Sequence, residues 1–155
     1  MDKLEPLVDV SLILRGECLD PEQVTSMLGT AGSKMRKKGD KWRTSTNHEV
    51  TAKIGLWALD ASRDSISVSD QLSWLRQKLS SATCSPSCVS GVQDAEIYVF
   101  IALGENDSDG DYSFYLTPDD LAWITSLGTK ISFDVACVPD GGSKPTEEVG
   151  GQIPS

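Results

Sequence analysis

The chain has 155 residues, 39% of them hydrophobic and 24% charged, the balance of a soluble globular protein long enough for one core without metal or disulfide staples. Its formal net charge of −9 argues against direct nucleic-acid binding and for either simple solubility or a basic partner. No stretch reads as a membrane span, and the first residues lack the basic and apolar regions of a signal peptide, so a cytoplasmic location without membrane attachment is expected.

Residues 7–14 alternate, with Val8, Val10, Leu12 and Leu14 on one face and Asp9 and Ser11 on the other, which predicts a half-buried strand. Residues 20–28 predict a helix. Asp20 is placed to cap it, Pro21 sits where its missing N–H costs nothing, Glu22 faces the positive end, and Gly29 supplies the left-handed stop. Residues 30–47 are polar and basic, contain Gly32 and Gly39, and show no apolar period, so a long surface loop is expected. Residues 48–60 predict a second strand, with Ile54, Leu56 and Ala58 on one face and Lys53, Gly55 and Trp57 on the other.

A second helix follows a turn at 61–67. Ser69 or Asp70 is its expected cap, and Leu72, Leu75 and Leu79 have helical spacing beside Trp74. Residues 80–93 are rich in Ser, Gly, Cys and Pro and read as a loop. Residues 96–103 are apolar on both faces, the pattern of a central strand, and 112–116 predict a short strand joined to it through the acidic turn 104–111. A third helix starts at Thr117-Pro118-Asp119-Asp120, ends at Gly128, and leads into a strand over 130–137. Trp123 lies off its Leu121, Ile124, Gly128 line, which suits an interface rim or packing beneath the tail.

This order, β-α-β-α-β-β-α-β, predicts an α+β fold: a mostly antiparallel sheet of about five strands with three helices packed on it. One domain is expected over residues 1–138 and a disordered tail over 139–155. The first and third helices share a cap-Pro-acid start and a Leu-Gly-Thr end, which raises an internal duplication as one reading and recurrent capping physics as the other.

Several segments in a fixed order carry a family resemblance. They are Arg15-Gly16-Glu17-Cys18-Leu19-Asp20-Pro21-Glu22 with Leu28-Gly29, Lys37-Lys38-Gly39-Asp40, Leu56-Trp57, the Asp70-Gln71-Leu72 to Leu79 helix, and residues 114–135. Together they resemble the small bacterial family known as domain of unknown function 4279. The resemblance implies a compact α+β domain and brings no activity with it. The chain departs from it at Thr30-Ala31-Gly32, where a proline is usual.

Function therefore rests on sites. The single histidine, His48, has no nucleophile motif to serve, so no catalytic residue is assigned and a non-enzymatic protein is expected. Cys84 and Cys88 have a spacing a zinc site uses, yet no second ligand pair accompanies them, so free thiols, no metal and no cofactor are expected. Asp107-Ser108-Asp109-Gly110-Asp111 opens like a calcium loop but lacks its closing glutamate and reads as a solvated turn.

Two readings of function come out of the charge distribution. In the first, Glu105, Asp107, Asp109, Asp111, Asp119 and Asp120 form a partner-binding acidic edge, most concretely that of an immunity protein neutralising a basic toxin such as a nuclease. In the second, the chain is a small-ligand or anion-binding domain, or an enzyme of unknown reaction, using the basic segment 34–43, with Lys37, Lys38 and Arg43 holding an anionic ligand against Trp42 or Trp57.

Overall fold

The computed structural model describes residues 6–104 and 112–138. The alternating N-terminal stretch forms β1 (Leu7–Gly16), followed by α1 (Pro21–Leu28), β2 (Lys34–Arg36), β3 (Lys41–Arg43), β4 (Glu49–Thr51), β5 (Gly55–Asp60) and α2 (Val68–Lys78). After a short 3-10 turn at Pro86–Cys88 come β6 (Asp94–Gly104), α3 (Pro118–Leu127) and β7 (Lys130–Val138).

Five strands make one sheet in the order β2-β5-β1-β6-β7, and β3 and β4 pair as a separate hairpin. Pairing is antiparallel between β1 and β5, β1 and β6, and β2 and β5, and parallel between β6 and β7. The result is the expected mostly antiparallel α+β fold. The units β1-α1-β2 and β5-α2-β6 each join strands of one direction and each skip a neighbour, so they interlock as a split βαβ arrangement. The α3-β7 unit extends that arrangement at one edge. It differs from the α1 unit, because β6 and β7 are adjacent whereas β1 and β2 flank β5.

All three helices contribute to one apolar core. Val8, Val10, Leu12 and Leu14 meet Trp57 and Leu59 from β5, Ile97, Val99 and Ile101 from β6, and Val24, Leu28, Val68, Leu72, Leu75, Ile124 and Leu127 from the helices. Burial of such side chains, at about 1.5–3 kcal/mol each, supplies the main driving force for the fold. The opposite face of the sheet is mixed, with Ala58, Phe100 and Ala102 buried on it beside polar side chains. Asp9, Ser11 and Glu96 are also buried there, so β1 is covered on both sides as well as central, and not half-buried.

The basic stretch is not one loop. Residues 34–36 add an edge strand and 41–51 fold into the β3–β4 hairpin, and these three-residue strands are too short to show an alternation. The strand expected over 48–60 is consequently two, broken at residues 52–54. The cap of α2 is Ser67, whose hydroxyl accepts from the Asp70 amide at 3.2 Å. Ser69 and Asp70 are occupied elsewhere, Ser69 donating to Asp120 and Asp70 accepting from Ser65.

Residues 112–116 form no strand. Their aromatic rings pack instead, Phe114 lying 5.5 Å from Phe133 and 6.4 Å from Tyr112, while the Tyr112 hydroxyl donates to the Ile66 carbonyl at 3.1 Å. On α3, Trp123 packs against the core and Leu121 is the exposed position. The expected tail over 139–155 lies outside the described residues.

Candidate functional site

The start of α3 is fixed by local chemistry. Thr117 Oγ1 accepts from the Asp120 amide at 3.1 Å and Asp120 Oδ2 accepts from the Thr117 amide at 2.9 Å, a reciprocal capping box, with Pro118 in the first turn and Gly128 in the left-handed region at φ 68°. The same Asp120 oxygen accepts from Ser69 Oγ at 2.6 Å, which ties α3 to α2.

Asp120 therefore leaves the acidic edge assigned to it, because it is only 3% exposed and its carboxylate is engaged inside the domain. Asp119 is exposed, while Glu105, Asp107, Asp109 and Asp111 lie outside the described residues. Burial pushes the Asp120 carboxyl up, but the hydrogen bonds from Ser69 and Thr117 and the charge of Arg76 outweigh it and hold the group below the usual carboxylate range. A depressed folded-state value contributes stability above the unfolded carboxylate pKa and loses it as the pH falls through the folded value. Asp120→Ala is thus expected to cost about 2 kcal/mol at neutral pH and to flatten the acid side of the stability profile, read from urea midpoints between about pH 2 and pH 6.

Near Asp119 in sequence stand exposed apolar side chains. Tyr115 is 69% exposed and Leu121 51% exposed, with Phe114 beside them in sequence and stacked on Phe133. Their aromatic run reads as strand alternation in the sequence; the cue that distinguishes it is Tyr115, a large side chain placed directly before a capped helix start. Exposed aromatic and aliphatic side chains on a rigid base, next to charge, have the make-up of a protein-binding patch.

In the basic segment the charged side chains meet partners of their own chain. Lys37 pairs with Asp20 at 3.6 Å, Lys38 with Glu17 at 3.5 Å and Lys41 with Glu49 at 3.6 Å, so these cations meet carboxylates of their own chain. Arg43 donates to the Asn47 carbonyl and side chain, and the Arg36 guanidinium lies 3.7 Å over the Trp42 ring. Trp57, offered as the stacking surface, is fully buried in the core and donates to Thr25 Oγ1 at 3.1 Å. A shallow cavity of about 290 Å³ lies elsewhere, lined by Ser87, Gln93, Asp94, Gly128 and Lys130, and its lysine is paired with Asp94 at 3.1 Å.

The polar face of the sheet is internally satisfied. Arg15 bridges Asp94 and Glu96, Arg63 binds Asp9, Ser11 donates to Asp60, and Ser132 donates to Glu96. Tyr98 donates to Asp134 at 2.6 Å. Burial and the neighbouring carboxylates push the Tyr98 hydroxyl well above its usual pKa, so it stays a donor. His48 is exposed at the tip of the β3–β4 hairpin. Cys84 is half-buried, Cys18, Cys88 and Cys137 are exposed, and all four are free thiols.

Among the described residues no helix is long and apolar enough to cross a membrane, and no cluster of three or more His, Cys, Asp or Glu is placed to hold a metal ion. Neither the curated proteins nor the solved structures contain a match to this chain. The family model described as "Domain of unknown function (DUF4279)" matches residues 5–138, and the chain belongs to that family.

Proposed function

We propose that this protein is an acidic interaction protein whose binding surface is the segment 114–121, and that its most concrete role is that of a bacterial immunity protein blocking a basic toxin. The observation that carries the reading is the exposure of Tyr115 and Leu121 on either side of a rigid capped helix start that presents Asp119. Large exposed side chains held on such a base lose little entropy when a partner covers them. The net charge of −9, with Glu105, Asp107, Asp109 and Asp111 preceding the segment, favours a basic partner and fast association.

The anion-binding alternative has less to support it, since Lys37 and Lys38 are paired within the chain and Trp57 is buried. The test is affinity capture from the source organism and from toxin-delivering neighbours, followed by binding of the captured protein to a variant with Asp107, Asp109 and Asp111 all changed to lysine. A basic partner whose association with the variant is slowed at least about tenfold at low salt is expected. A partner that is not basic, or that binds both proteins equally at low salt, removes the charge argument.

A further inference from the structure

We infer that β7 is a self-association edge, through which two copies of this chain pair antiparallel and join their sheets into one. Its position sets the problem. β7 ends the five-stranded sheet, and among the described residues no strand pairs on its outer side. It runs for nine residues, Lys130–Val138, without the prolines or glycines that blunt an edge. The opposite edge is managed differently, because β2 is only three residues long and carries Lys34 and Arg36.

The side chains of β7 fit a second copy of themselves in one register. Parallel pairing with β6 sets Ile131, Phe133 and Val135 beside Ile97, Val99 and Ile101, on the helix side of the sheet, and Lys130, Ser132 and Asp134 on the polar side. Phe133 and Val135 are 40% and 58% exposed although they are on the helix-covered face. A two-fold axis at Phe133 sets that ring against its counterpart and Ile131 against Val135 on the apolar side. On the polar side it sets Ser132 against Asp134 and Lys130 against Ala136, with each Asp134, which accepts from Tyr98, diagonal to both Lys130 and Asp134 of the second copy. No like charges face each other. Centring the pair on Asp134 opposes two carboxylates, and centring it on Ser132 shortens the overlap to residues 130–134. Of the three, the Phe133 register is the one that covers both Phe133 and Val135 without setting like charges directly opposite each other.

The occupant is a second copy because this register sets the exposed apolar side chains of β7 against apolar ones of its own sequence and places no like charges directly opposite each other. The test is sedimentation velocity with light scattering on the full chain, across about 1–500 µM. Wild type is expected to be a dimer at the upper concentrations. Val135→Lys, at a site open enough for the monomer to tolerate it, is expected to weaken dimerisation at least about tenfold by placing an ammonium against Ile131, with an unchanged circular dichroism spectrum. Phe133→Lys, which opposes two ammonium groups, provides a second variant if the first loses its fold. Met35→Ala, on β2 at the opposite edge of the sheet, is expected to leave the dimer intact. A wild type that stays monomeric throughout, as it does if the edge serves another protein's strand, overturns the inference. So does a dimer that survives folded Val135→Lys or Phe133→Lys.

Discussion

Gln71→Leu is expected to cost about 3–5 kcal/mol of stability, a large share of what a domain of this size holds. The reason lies in how β1 meets β5. Their ladder ends at Ser11 and Asp60, and Ala61 then donates to the Val10 carbonyl at 2.8 Å. Beyond that point the backbone of β1 turns to a side chain. Gln71, on α2 and 1% exposed, accepts from the Val10 amide at 2.9 Å and donates to the Val8 and Ser65 carbonyls, both at 2.8 Å. Its amide takes the place of one further strand residue.

Leucine fills the volume of Gln71 and leaves the buried Val10 amide and Val8 carbonyl, each worth about 1–3 kcal/mol, and the half-buried Ser65 carbonyl without this partner. Urea unfolding followed by tryptophan fluorescence reads the loss, and hydrogen exchange at Val10 is expected to accelerate. Gln71→Glu adds a pH signature. A carboxylate facing two carbonyls is favoured in its protonated form, so the folded-state pKa rises. Stability is then greatest below the unfolded pKa and is lost as the pH rises through the folded value.

Gly16→Ala is expected to be nearly as severe, at about 3 kcal/mol or more, for a steric reason. A Cβ at Gly16 falls 1.8 Å from the Gly91 carbonyl oxygen and 3.3 Å from the Gln93 amide nitrogen. Those are backbone atoms. The Gln93 amide is bound to the Arg15 carbonyl at 2.8 Å and the Gln93 side chain accepts from the Glu17 amide at 2.7 Å, so the loop has little room to retreat. Gly39→Ala is the informative comparison. There a Cβ meets nothing within 4 Å, and only the positive φ of 94° is costly, so a loss of about 1 kcal/mol is expected. Equal losses at the two sites, measured by urea unfolding, indicate that close approach is not what Gly16 protects.

What was legible in the sequence was local. The caps of α1 and α3 are set by residues within four positions of each other, and Asp20, Thr117, Gly29 and Gly128 perform the expected roles. The long strands could be read because their apolar alternation spans many residues. Three-residue strands such as β2 and β3 have no room for a pattern, and their pairing with β5 and β4 is decided by partners elsewhere in the chain. Aromatic spacing over 112–116 looked like a strand because rings packed on Phe133 leave the same trace as rings on a pleat.

The site was legible in part. Asp119 and Asp120 are equivalent as letters, yet the capping box and Ser69 draw only the second inward. Gln71 reads as a solvated helix position because nothing local reveals that it faces an unpaired stretch of β1. Trp57 could not be told from a surface ring until the helices were placed over it.

The binding role of 114–121 is tested most directly by titration calorimetry of the captured partner against wild type and a Tyr115→Ala, Leu121→Ala double variant. Both residues are exposed, so the double variant is expected to keep its fold. A dissociation constant raised at least about thirtyfold, equivalent to about 2 kcal/mol, is predicted. Binding to the folded double variant within about twofold of wild type contradicts the assignment of this surface.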